Sequence, residues 1–567
     1  MQQNTPQSPA SVPAQGKIRV YCINTREYLD VDGGTTIGQI ADQLAFRLPF
    51  KPICAHVNNK TEGLSFTVYG PKDIEFLDAS TPSGNRVYVR SLCMMLYAAA
   101  TRLYPGARLC VEHSVSRGYF CRFEGMDGSA DAEALQAEML KIADQDIPFV
   151  RHEERTEDVI EIFRRQGLND KVLLLQTSHQ NYSVYHTLGT LADSYYGCLA
   201  PSTGHIRVFA LTPYKEGFLL RAADPADLSR VPDPVPQEKM FRAFTDYVDF
   251  NEIVGVRNVG ELNQAVDQNR AADLINVAEA LHEKYIARIS DEITRRYHAG
   301  GARVVLVSGP SSSGKTTTTK RLSVQLMTNL LKPVMISLDN YFVNRDKTPR
   351  DEKGDYDYES LYALDIKQFN SDLNNILDGK EVELPEYSFE LGKRLYKGNK
   401  VKLGDSGILL IEGIHGLNPD LTPHIPEHQK FRIYVSALTT LSIDDHNWVP
   451  TTDNRLLRRM IRDFKYRGTT PLDTIRRWPS VRAGEEKWIF PYQENADAMF
   501  NSSLLFELGV MKDYAEDILR HVYTDVPEYA TAYRLRKFLS YFHSISTEVV
   551  PPTSLLREFL GGSSFHY

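Results

Sequence analysis

The stretch Gly309-Pro-Ser-Ser-Ser-Gly314-Lys315-Thr316 satisfies the spacing G-x-x-x-x-G-K-[ST]. Each position has a physical task. Gly309 and Gly314 let the backbone curl until its N–H groups point inward at phosphate oxygens. Lys315 reaches the β- and γ-phosphates of a nucleotide. Thr316 offers a hydroxyl to Mg2+ at the start of a helix whose dipole favours anions. Ser311, Ser312, Ser313 and Thr317 complete the cradle. The apolar run RVVLVSG precedes the loop and TTTTKRLSVQLMTNLL follows it, the strand–loop–helix context this chemistry needs.

A nucleotide site also needs carboxylates that face the metal, and two strand ends supply them. ISLDNYF places Asp339 where an apolar run stops, and LLIEGIHG does the same for Glu412. In an open parallel sheet the ligand crevice lies at the carboxyl ends of the strands, so both acids can converge on the loop. Either could also cap the helix that follows. In DNRLLRRMIRDFKYRG, Arg455, Arg458, Arg459 and Arg462 fall at helical intervals, with Arg467 just beyond. Such a face is either solvated surface or a lid that neutralises charge developing in phosphoryl transfer. Beside a phosphate loop the lid reading is preferred.

The elements that must position these groups follow from the pattern. RVVLVSG, VMISLD, GILLIEG, FRIYVS and SSLLFEL are short apolar runs separated by helical segments, which predicts a parallel sheet covered on both faces. Upstream, a helix is predicted over roughly 258–298, with Leu274, Val277, Ala278, Leu281, Ile286, Ile289 and Ile293 as its packing stripe. Residues 18–80 read as a small α/β unit whose helix, TTIGQIADQLA, is capped by Thr35 or Thr36. Residues from about 83 read as α+β, with SLCMMLYAAATRLYP and DAEALQAEMLKIADQD as helices.

The 567 residues suggest several folding units at about 100–200 residues each. Lys and Arg number 65 against 73 Asp and Glu, a net charge of −8 that argues against coating nucleic acid through global charge. No stretch approaches the ~20 apolar residues of a membrane helix, so no membrane is expected. The six cysteines, all in the first 200 residues, include no CxxC pair and read as reduced thiols of a cytoplasmic protein. The Gln-, Pro- and Ser-rich start reads as a disordered tail.

The segment from about 303 to 510 resembles the uridine–cytidine kinase and phosphoribulokinase family. GPSSSGKT, SLDNYF, YDYES, PEYSF…KR, LLIEGIHG and RRMIRDFKYRG follow that family's order of motifs. The resemblance implies a P-loop nucleoside kinase that uses ATP and Mg2+ and assembles as a homo-oligomer. It implies Asp339 as the base that takes the proton of a 5′-hydroxyl and lies near the metal, Glu412 as a metal-organising acid, and Asp357 as the carboxylate that grips the ribose. Tyr387 would lie beside the base, and Arg459, Arg462 and Arg467 would be lid and substrate arginines, with Lys315 and Arg462 acting in transfer. The chain departs from the family pattern at Phe342 (tyrosine), Ser388 (aspartate), Gly392 (the histidine that reads the pyrimidine edge) and Thr469 (arginine).

Residues 18–80 resemble the TGS module of threonyl-tRNA synthetases, and 83–230 resemble the editing domain that follows it there, through RSLCMMLYAAATRLYPGARL, DIPFVRHEE and APSTGHIRVFAL. The four catalytic positions of such an editing domain fall on Arg90, Met94, Tyr195 and Leu199, which cannot do acid–base work as a set. The expected organisation is a multidomain α/β chain. It runs as a tail at 1–17, a TGS-like domain at 18–80, an editing-like domain at 81–240 and a helical linker at 241–301. A kinase domain at 302–510 and a helical extension at 511–567 complete it. The expected function is phosphorylation of a nucleoside, uridine or cytidine first. Two alternatives stand beside it: an RNA- or ribosome-associated nucleotide switch, with RNA bound by the N-terminal half, and a kinase for a non-nucleoside alcohol.

Overall fold

The apolar runs after residue 303 do pair into one sheet, with one substitution among them. A computed structural model describes residues 16–126, 130–351 and 354–566. Of the predicted tail, residues 1–15 lie outside the described residues, and Lys17 already opens a strand, Lys17–Cys22. The chain forms two units. Among the described residues, one holds those up to Val235 together with Asp444–Asn447 and Val522–Phe538; the other holds those of Pro236–Ile443, Trp448–His521 and from Leu539 on.

In the second unit the strands run in the order Lys332–Ser337, Gly407–Glu412, Val304–Ser308, Lys430–Ser436, Ala498–Asn501. Every neighbouring pair is parallel. The central strand is buried at all five positions, which is why it reads as a continuous apolar run rather than an alternating one. Register aligns the strand ends: Glu412 pairs with Val307 on one side and Ser337 on the other. The phosphate loop, Glu412 and the turn bearing Asp339 therefore leave the sheet at one edge.

The fifth strand is AMFN, not the predicted SSLLFEL. After Asn501 the chain turns, and Glu507 opens a helix, Glu507–Leu519. A short apolar run does not distinguish a strand from a buried helix start, and here tertiary pairing decided. The helix predicted over 258–298 is two helices, Val259–Asp267 and Ala271–His298, broken where Asn269 adopts φ +59°. Leu274, Ala278, Ile286, Ile289 and Ile293 of the expected stripe are buried, but Val277 is exposed, and His282 is buried beside them and hydrogen-bonds to the Ser503 carbonyl at 3.1 Å. A further helix, Glu238–Val254, precedes them and stops at Gly255.

In the first unit the strands Glu27–Asp32, Lys17–Cys22, Lys72–Leu77, Cys54–Val57 and Lys60–Glu62 form a sheet in that order. Its helix, Ile37–Gln43, starts at Thr36 with a reciprocal capping box to Gln39. The next helix, Pro82–Leu103, begins well before the predicted SLCMML stretch. Thr81 caps it and Pro82 occupies the first turn, where a missing N–H costs nothing. The unit also holds a four-stranded and a three-stranded antiparallel sheet and the short pair Thr35–Thr36 with Thr67–Val68.

Candidate active site

The loop after Val304–Ser308 is built by close approaches that only glycine allows. A Cβ on Gly309 would lie 2.0 Å from the Val435 carbonyl oxygen, and one on Gly314, at φ +83°, would lie 2.7 Å from the Leu555 side chain. The helix Lys315–Thr328 starts at once, so its first N–H groups face the loop interior. Lys315 Nζ donates to the Pro310 carbonyl at 3.0 Å. The Ser311 amide donates to Glu485 at 3.1 Å, and Arg459 donates to the Ser311 hydroxyl at 2.8 Å. The hydroxyls of Ser312 and Ser313 are buried without hydrogen-bond partners.

Around Lys315 gather more acids than it can neutralise. Burial pushes Glu412 up to about 7, the negative Asp339 adds to the rise, and Lys315 and the Ser337 hydroxyl at 3.1 Å pull it back. Asp339 opens into the cleft, but the protein walls around it raise its carboxyl, while Lys315, Arg467 and Arg462 lower it. Glu359, which the sequence reading passed over inside YDYES, is likewise pushed up to about 7 by burial and by Glu485. Its Oε2 is buried without a partner. Burial lowers the Lys315 ammonium even though Glu412, Asp339, Glu558 and Glu359 all favour its charge.

This oxygen-rich, under-neutralised corner suits a hard divalent cation. Thr316, Asp339 and Glu412 are the donor types Mg2+ takes, usually one or two carboxylates with water and phosphate making up the rest. Among the described residues no group of three or more His, Cys, Asp and Glu is placed to hold a metal by itself.

The arginines divide into two sets. Arg455 and Arg458 are buried bolts, not a solvated or lid-like face. Arg455 makes a two-point pair with Glu485 at 2.5 and 2.6 Å and donates to the Ser311 carbonyl; Arg458 pairs with Glu507 at 2.8 Å and donates to the Ser502 carbonyl. Arg459, Arg462 and Arg467 instead converge on Asp463, at 3.3, 3.0 and 3.5 Å. All lie on the helix Thr451–Arg467, which Gly468 ends in the left-handed region.

Asp357 accepts from the Glu359 amide at 3.1 Å, so it caps its own turn. Tyr387 lies on the ribbon strand Val382–Ser388, with its ring centroid 5.6 Å from Phe342 and 5.1 Å from Phe389 and its hydroxyl buried without a partner. At Gly392, φ +64°, an added Cβ would meet the Arg345 side chain at 2.9 Å. Arg345 therefore covers this glycine and leaves no room there for a histidine; its guanidinium donates to the Phe389 carbonyl.

The chain's own C-terminal segment reaches the loop. Glu558 accepts from the Thr317 hydroxyl at 2.6 Å and from the Thr317 amide at 3.3 Å. Arg458 lies over the Phe559 ring, 5.2 Å from its centroid, and Lys465 donates to the Leu560 carbonyl. Glu359, Glu485, Glu558 and Arg345 were absent from the sequence-derived set. Glu359 alone had a signal, two residues after Asp357 in a quoted motif; the others come from distant segments.

In the first unit, Arg90, Met94, Tyr195 and Leu199 are all buried, and Arg90 donates to the Cys198 carbonyl at 3.2 and 3.0 Å. No helix among the described residues is long and apolar enough to cross a membrane.

Residues 304–504 match the model of the Phosphoribulokinase / Uridine kinase family. A uridine kinase of Deinococcus deserti is 26% identical over 217 residues, 38% of this chain and 92% of the relative. The N-terminal half is similar to threonine–tRNA ligases; that of Carboxydothermus hydrogenoformans is 24% identical over 233 residues, 40% of this chain. The chain spans only 36% of that ligase's length. A solved structure described as a possible uridine kinase from Bacillus stearothermophilus is 18% identical, with a TM-score of 0.26, covering 38% of this chain and 98% of its own.

Proposed function

The C-terminal region is of the Phosphoribulokinase / Uridine kinase family, and from that premise we propose that the protein transfers the γ-phosphoryl group of ATP to the 5′-hydroxyl of a nucleoside. One observation carries this reading: the phosphate loop leaves the central strand beside Glu412, in register, and beside the turn that bears Asp339. Asp339 takes the proton of the attacking hydroxyl; its lifted carboxyl makes it a better base than a free aspartate. Lys315 and the loop amides hold the phosphates, and Arg459, Arg462 and Arg467 release Asp463 to meet the charge that develops in transfer. Thr316, Glu412 and Asp339 would hold Mg2+, which would supply positive charge against the phosphate oxygens. Asp357 and Tyr387 form the nucleoside side, with Arg345 in the place of a base-reading histidine. That exchange swaps a ring able to donate or accept for a pure donor, so carbonyl-rich base edges, uridine first, are favoured.

ATP seated on the loop must displace Glu558, because the Thr317 amide belongs to the helix start that a phosphate needs and a carboxylate repels phosphate. An ADP-release assay with ATP and Mg2+ tests the proposal. The panel is uridine, cytidine, adenosine, guanosine, inosine and several non-nucleoside alcohols, with Lys315→Ala as blank. Nucleoside-dependent release absent from the blank is expected. Release with only non-nucleoside alcohols would overturn the substrate, and silence with ATP bound would turn the reading to a nucleotide switch. The similarity of the N-terminal half to threonine–tRNA ligases favours that second reading, which requires steeply salt-dependent RNA binding. The division into TGS-like, editing-like and kinase segments, the cytoplasmic location and a homo-oligomeric state belong to the same proposal.

A further inference from the structure

The first unit contains a cavity of about 1470 Å³ that the kinase reading does not use. All of its lining residues belong to that unit, including Ala530, Tyr533, Arg534 and Lys537 from the segment Val522–Phe538. Seven lysines and arginines line it against three acids. Two of those acids are already engaged, Glu62 with Lys60 at 2.6 Å and Glu153 with Arg151 at 2.7 Å. Positive charge is therefore in excess. Lys537 registers that excess: burial lowers its ammonium, and Arg90, Lys60 and Arg151 lower it further. His186, 3% exposed, lines the same wall with a buried Nδ1 that has no partner.

Aromatic faces complete the lining. Phe66, Tyr196 and Tyr533 border the space, with Lys60 already seated over the Tyr533 ring at 4.7 Å. Cations recognise phosphate through charge-assisted hydrogen bonds, and aromatic faces stack bases at about 1–3 kcal/mol each. The volume exceeds the about 300–1,000 Å³ of common small-ligand sites, so a lone phosphate would leave most of it empty. Burial raises the thiol of Cys198, the cysteine in its wall, so that side chain is held as a neutral thiol. We propose that this cavity is a binding site for a free 5′-phosphorylated nucleoside, with Arg90, Arg151 and Lys537 holding the phosphate and His186 Nδ1 supplying a further hydrogen bond.

The test is isothermal titration of the full chain with UMP, CMP, AMP, GMP and inorganic phosphate, with crosslinking by 4-thiouridine monophosphate to map the site. Both are run in wild type, in Lys315→Ala, and in the pocket variants Arg151→Gln and Lys537→Gln, with an RNA oligonucleotide as a further titrant. A binding event is expected that survives Lys315→Ala, weakens at least tenfold in Arg151→Gln and Lys537→Gln at unchanged melting temperature, and crosslinks to peptides bearing Tyr196 or Tyr533. An event untouched by the two pocket variants, or crosslinks confined to the kinase unit, would overturn the site. Inorganic phosphate binding as tightly as the nucleotides would overturn the nucleoside part. Binding by an RNA oligonucleotide without any by free nucleotides would overturn the free ligand.

Discussion

Both units bury a lysine among acids, and they do it to opposite ends. In the first unit Lys171 pairs with Asp193 at 2.9 Å and Asp444 at 2.8 Å, and His446 closes on Asp193 at 2.8 Å. Two acids meet two bases, and Asn447 satisfies the second side of Asp444 at 2.8 and 2.9 Å. The lysine is driven well above its ordinary range despite burial and Asp193 well below its own, while Asp444 alone is raised, by burial and by the neighbouring Asp170 and Asp193. In the second unit Lys315 faces Asp339, Glu359 and Glu412; it is lowered, and all three acids are raised. Charge that the fold can neutralise by itself is structural. Charge left unbalanced in a cleft waits for a ligand that completes it.

The strongest way to test that contrast is to remove one member of each set and read both activity and stability. In the kinase unit, Asp339→Asn should cut turnover by about 100- to 10,000-fold and Lys315→Ala by about 100- to 1,000-fold. Asp339→Asn should not lower the melting temperature, because it relieves the imbalance, whereas Lys315→Ala strips the acids of their cation and is read on activity alone. Retained turnover in Asp339→Asn would remove it as the base. In the first unit, Lys171→Met should do the reverse and cost about 3–5 kcal/mol by stranding two buried carboxylates. Chemical denaturation reads that loss; a cost below about 1 kcal/mol would mean that the two clusters do not differ in kind.

Glu558 sharpens the comparison on a smaller scale, since it brings one more negative charge to a site already short of positive ones. Glu558→Gln should lower the KM for ATP by about three- to tenfold, corresponding to up to about 1.4 kcal/mol of repulsion relieved. The rate at saturating ATP should stay within about twofold. A KM that is unchanged or raised would make the Thr317 contact a simple helix cap.

What the sequence exposed and what it hid follow the same division. The phosphate loop was legible because its chemistry is local: glycines, lysine and threonine at fixed spacing between a strand and a helix. Asp339 and Glu412 were legible as the ends of apolar runs, since parallel strands end at one edge. Glu359 was harder, because nothing in YDYES separates a cleft acid from a surface one until Gly484 is seen packed against its Cβ. Arg455 and Arg458 shared the spacing of the other arginines, and only the distant Glu485 and Glu507 make them buried bolts. The balanced cluster was hidden altogether. Asp444 ends the strand Ser442–Asp444 and His446 lies in the turn before Asn447–Trp448, and their partners Lys171 and Asp193 lie far upstream in the chain. No periodicity reports such a closure. The fifth strand was misplaced for a related reason, since SSLLFEL and AMFN differ in pairing more than in composition.

His446 gives the smallest effect and the finest test of balance. Burial opposes its charged form, but Asp193 outweighs burial and raises the imidazolium above its ordinary range. A group raised on folding stabilises fully below its unfolded pKa, about 6.5, and loses that contribution as pH climbs through the raised value. Asp193, lowered on folding, works in the opposite sense and is lost only in acid. Lys171 stays charged throughout, and Asp444, which burial raises to about 6, is ionised at higher pH in both wild type and His446→Gln. Above pH 7 the difference in stability between the two proteins therefore isolates the imidazole. It should shrink as pH climbs through the raised value, where the wild-type histidine gives up its proton. Melting temperatures at half-unit pH steps in a constant-ionic-strength buffer measure it. A difference that stayed flat from pH 6 to 9 would mean that the His446–Asp193 contact holds a neutral ring, and that the first unit's cluster carries a net negative charge after all.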